Sequence, residues 1–98
     1  MGESISDSEK RVVSLAKSFP CLASVGSLKH GLWNPAELDA WALKASSGER
    51  HAVSFVLTVW NQYETWKCGK FDVFDAAVTW NDEHRRAFFA WMTEPWFA

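Results

Sequence analysis

The chain has 98 residues, of which 48% are hydrophobic and 15% aromatic, with seven Trp, seven Phe and one Tyr. Ten basic and twelve acidic residues give a net charge of −2 with no basic run, which speaks against binding a phosphate backbone. No uncharged run reaches the roughly 20 residues a bilayer span requires, and the polar start from Met1 to Ser8 does not fit a signal peptide.

The length suits one domain spanning residues 1–98, with residues 1–5 as a flexible N-terminus in a cytoplasmic protein. Met1-Gly2 with Ser6 fits the outline of a myristoylation signal, but Glu3 and its acidic surroundings deprive it of basic support. Cys21 and Cys68 lie far apart and form no Cys-x-x-Cys motif, so free thiols are expected. The core is rich in large rings. Each buries about 150–250 Å², which at roughly 25 cal/mol/Å² is an upper bound of about 4–6 kcal/mol per ring before entropy.

Ser6 with Glu9 reads as a capping box that opens a first helix over about 7–18. Val12, Leu15, Ala16 and Phe19 form its apolar face, and Pro20 ends it. Residues 20–33 are punctuated by Gly26 and Gly31 and anchored by Leu22, Val25, Leu28, Leu32 and Trp33. They read as a packed connection with room for one helical turn. Asn34-Pro35 with Glu37 starts a second helix over about 35–46, with Leu38, Trp41, Ala42 and Ala45 inward and Gly48 as its stop.

No Asp, Glu, Lys or Arg falls between Arg50 and Glu64. Ala52, Val53, Val56, Val59, Trp60 and Tyr63 recur at helical spacing, Phe55 and Leu57 widen that face, and Ser54, Thr58 and Asn61 leave a narrow polar line. A helix apolar on most sides is enclosed by its neighbours, so this stretch, about 49–64, is the expected centre of the fold. Ser46 with Glu49 supplies its capping box, and Cys68-Gly69 ends the segment. Asp72 caps a fourth helix over about 73–80, with Phe74, Ala77 and Val78 inward. Asn81, Asp82 and Glu83 open a fifth over about 82–92. It has His84, Ala87, Phe88 and Trp91 on one side and Phe89 and Met92 beside them, and Pro95 stops it. No segment alternates like a strand and no repeat is visible. The predicted fold class is all-α, a compact bundle of about five short helices.

Chemistry-bearing patterns are sparse. Cys21, His30, His51, Cys68 and His84 lack the spacing of a zinc site. Cys68 with His51 or His84 would make a nucleophile and base only if the fold joined them. The basic cluster His84-Arg85-Arg86 is offset by Asp82 and Glu83, with an Asp82–Arg86 pair at helical spacing. No catalytic residue, metal ligand or cofactor is assigned.

Twelve of the fifteen aromatics lie in residues 55–97. Trp41, Phe55, Trp60, Phe74, Phe88 and Trp91 fall on inward faces, whereas Trp33, Trp66, Phe71, Trp80, Trp96 and Phe97 fall at element ends. There they either lid the bundle or mark an interface, since aromatics and Arg concentrate at binding hot spots. The fifth helix carries two adjacent apolar faces, and one core can take only one of them fully. The expected function is therefore non-enzymatic binding of a protein partner, most simply a second copy in a homodimer. The expected interface comprises Phe89, Met92, Trp96 and Phe97, with Trp80 framed by Arg85 and Arg86. A tail folded back over these groups is the rival arrangement. A small-molecule module with a pocket between the central and C-terminal helices is the second reading, and an enzyme using Cys68 or a histidine the third.

Overall fold

A computed structural model describes residues 6–98. The flexible N-terminus expected for residues 1–5, and with it Gly2, lies outside the described residues. The described chain is all-helical: α1 (Asp7–Lys17), a 3₁₀ helix (Gly26–His30), α2 (Pro35–Ala42), α3 (Ser47–Trp60), α4 (Val73–Thr79) and α5 (Asp82–Thr93). Among the described residues no helix is long and apolar enough to cross a membrane.

Each helix begins where its cap dictates. Ser6 and Glu9 make a reciprocal capping box on α1, and Ser46 and Glu49 make another on α3. Side chains of Asn34, Asp72 and Asn81 accept first-turn amides of α2, α4 and α5. The connection 20–33 is packed through Leu22 and Leu28, both buried, and Glu37 ties it to α2 by accepting the Ser27 amide at 2.7 Å. Gly26 has a positive φ, and a Cβ there would collide with the Glu37 carboxylate, so this link requires glycine.

α3 is the centre, packed against α1, α2 and α4. Ala52 to Leu57 is buried without interruption, as is Val59, which accounts for the missing charges. The polar line is satisfied within the helix: Ser54 Oγ donates to the His51 carbonyl at 3.1 Å and Thr58 Oγ1 to the Ser54 carbonyl at 2.7 Å. Phe55 is the aromatic hub, with Phe19, Phe71, Phe88 and Trp91 around it at centroid distances of 5.1–5.8 Å.

Several expectations are corrected. α2 ends at Ala42, because Arg50 reaches back to donate to the Ala42 and Leu43 carbonyls that a longer helix would have bonded itself. Gly48 therefore does not stop α2 but sits in the first turn of α3, where its carbonyl accepts Trp80 Nε1 at 2.9 Å. α3 ends at Trp60, since Asn61 turns extended and its Oδ1 accepts the Tyr63 amide. Tyr63 is consequently 90% exposed instead of inward, and Trp60 is half-buried, edge-on to Trp33.

The largest correction concerns α4, where Phe74 is 82% and Val78 80% exposed and only Ala76 is buried. Close approach explains it. A Cβ on Gly48 would stand 3.4 Å from the Thr79 carbonyl oxygen, so α3 and the end of α4 meet nearly backbone to backbone. That contact admits a methyl group and turns the larger side chains outward.

Candidate functional site

Outward-facing apolar side chains gather on α4 and α5. Phe74 and Val78 form one stripe of α4 at four-residue spacing, and Val73 and Ala77 form the neighbouring stripe. Across from them α5 presents Phe89, 60% exposed, and Met92, 49% exposed. Between the helices lies a groove of about 350 Å³ lined by Val73, Ala77, Trp80, Arg85, Phe88 and Phe89. Val73, 44% exposed, and Phe89 thus both face solvent and line the hollow.

The other expected interface residues fall elsewhere. Trp80 is 4% exposed; its ring packs on Phe19 and Phe71, and only its edge reaches the groove. It is a core residue because the Gly48 carbonyl gives its indole N–H an acceptor within the fold. Arg85 does not frame an open Trp80. Its Nη2 donates to the Ala77 carbonyl at 2.7 Å and its Nη1 lies 3.6 Å from Asp82, pinning α5 to α4. Asp82 thus pairs with Arg85, not with the expected Arg86, which is exposed.

The tail folds back, as in the rival arrangement, but does not cover the groups that arrangement was to cover: Phe89, Met92 and Phe97 stay exposed. The Ala98 amide donates to the Val59 carbonyl at 2.9 Å and Trp91 Nε1 to the Trp96 carbonyl at 3.0 Å. Phe97 stands edge-on to Trp91, and the Arg11 guanidinium covers the half-buried Trp96 ring at 4.2 Å. Trp96 and Phe97 thereby pack within the chain, but Phe97 stays 50% exposed, as open as Met92, and Phe89 is more open still.

Both cysteines are free thiols. Cys68, the candidate nucleophile of the third reading, is buried, and burial followed by the nearby Asp39 pushes its thiol up to about 12. Its backbone is fixed by the Asp39 carboxylate, which accepts the Lys67 and Cys68 amides at 3.0 and 2.9 Å. The fold instead joins Cys21 to His84, with Sγ 3.1 Å from Nε2. His84 Nδ1 lies 2.7 Å from Asn81 Oδ1. The sequence did not disclose this contact, since 63 residues separate Cys21 from His84. The only visible signal was Asn81 three residues before His84, as cap and first-turn residue of one helix. Among the described residues no three His, Cys, Asp or Glu side chains converge as a metal site.

The chain matches no protein-family model, no curated protein and no solved structure.

Proposed function

We propose that this protein is a cytoplasmic interaction module whose partner is a second copy of the chain, docked through the α4–α5 face. The observation that carries the reading is the exposure of Phe74 and Val78 on α4 and of Phe89 and Met92 on α5, with Phe89 lining an apolar groove between the two helices. Contiguous exposed apolar surface usually marks an interaction site. Val73 and Phe89 are both exposed and line the hollow, so one surface offers projection and recess, as a self-complementary two-fold contact requires. The α4–α5 segment carries both signs of charge, Asp72, Asp75 and Asp82 with Arg85 and Arg86, so a second copy of it brings no uniform like-charge repulsion.

Sedimentation equilibrium across a wide range of protein concentration tests the reading. The wild-type chain is expected to reach twice its 11.1 kDa mass. The double variant Phe74→Glu, Phe89→Glu is expected to stay monomeric with an unchanged helical spectrum, since both side chains point away from the core. A wild-type monomer at every concentration would overturn it.

A further inference from the structure

We propose that Cys21, His84 and Asn81 form a nucleophilic site in which the Cys21 sulfur accepts an acyl group from a small activated ester or thioester. This goes beyond the docking face and does not depend on it, and it revises the expectation that the chain has no catalytic residue.

The arrangement is directional. Asn81 Oδ1 accepts the His84 backbone amide at 3.0 Å as the cap of α5, so the acceptor is anchored by the helix itself. An amide oxygen has no proton to give, so the hydrogen on the 2.7 Å contact belongs to His84 Nδ1. Nε2 is then left with its lone pair, and that lone pair faces Cys21 Sγ at 3.1 Å. The imidazole is further held by stacking on Trp80 and by Phe19. A nucleophile, its base and an orienting third group are the components that thiol catalysis requires.

The pair sits in an open cleft of about 500 Å³ between the first turns of α3 and α5. Ser47 and Gly48 line the same cleft, and their first-turn amides find no acceptor among the described residues. Such amides are suited to an oxygen that gains negative charge.

The protonation states set the mode of attack. Burial, then the charge of Glu49, pushes the Cys21 thiol up to about 11, so the resting sulfur is protonated. Burial lowers His84 from the usual histidine range, against the opposing pull of Glu83 on its own helix and Glu49 on α3. The resting pair is therefore neutral thiol and neutral imidazole. As the sulfur attacks the carbonyl carbon, its proton passes to Nε2 and the C=O electron pair moves onto oxygen. Collapse of that oxyanion breaks the bond to the leaving group, which takes the proton back from Nε2. Cys21 is left acylated. Water, deprotonated by the same Nε2, then releases the carboxylic acid and restores the thiol.

The test uses the full chain with p-nitrophenyl acetate, following nitrophenolate release and mapping the acetyl adduct by peptide mass spectrometry. The expected result is a burst equal to the protein concentration, with the adduct on Cys21. Cys21→Ser is expected to abolish the burst and Cys68→Ser to preserve it. His84→Phe keeps the ring packing and is expected to slow acylation about 100-fold or more, the usual worth of a positioned base. In the wild type, the rate should rise with pH through an inflection below the ordinary histidine pKa and then level off. An adduct elsewhere, or equal rates in wild type and Cys21→Ser, would overturn the proposal. So would a rate that climbs without a plateau toward the thiol's own pKa, a readout that needs no variant to fold.

Discussion

Phe55 and Trp60 show how position within one helix sets the value of a ring. Phe55 is buried and touches four other aromatics, whereas Trp60 packs on Trp33 with part of its surface in water. Phe55→Ala is expected to cost about 3–5 kcal/mol and Trp60→Ala about 2 kcal/mol, because truncation costs scale with the area and cavity lost. Urea melts of the two variants check the order; a larger loss for Trp60→Ala would displace Phe55 as hub. His84 makes a second residue-scale prediction. Its pKa is lowered in the folded chain by burial, so between that value and the ordinary histidine value of about 6.5 the unfolded chain binds more protons. The contribution of neutral His84 is fully present above about pH 6.5 and is lost as pH falls toward its folded pKa. Urea midpoints measured at successive pH values should fall on acidification through this window, and less so in His84→Phe.

At the scale of elements, a few long-range polar links fix how short helices meet. Asp39 on α2 is buried and holds the turn before Gly69 through two backbone amides. Asp39→Ala leaves both amides unpaired and is expected to destabilise the chain by about 2–4 kcal/mol, with Asp39→Asn milder because one acceptor oxygen survives. Equal losses in the two variants would show that the carboxylate acts by charge and not by accepting both amides.

Such links also mark the limit of what the sequence discloses. Caps and hydrophobic period are local, so Ser6, Asn34, Ser46, Asp72 and Asn81 placed the starts of the five α-helices within two residues, but not that of the 3₁₀ helix. The phase of α4 is not local. A seven-residue helix offers too few turns for a period, and its orientation is set by Gly48 meeting Thr79 from a distant part of the chain. Phe74 and Val78, read as core, therefore turned out to be surface. The proposed docking face was half legible for the same reason: the exposure of Phe89 and Met92 followed from the doubled face of α5, whereas that of Phe74 and Val78 on α4 did not. Tail closure by Val59, and the meeting of Cys21 with His84, likewise depend on contacts that no local pattern encodes.

For the whole molecule, the core is consolidated on α3 and its aromatic neighbours, and the α4–α5 edge is left apolar. Exposed Phe74, Val78, Phe89 and Met92 contribute little to folding a monomer, so replacing them should change association and spare stability. The most direct test is a dilution series of two-dimensional amide NMR spectra. The proposed dimer predicts concentration-dependent shifts confined to residues 73–93, with α1 and α2 unmoved. Spectra unchanged across the series, or shifts centred on another face, would contradict it.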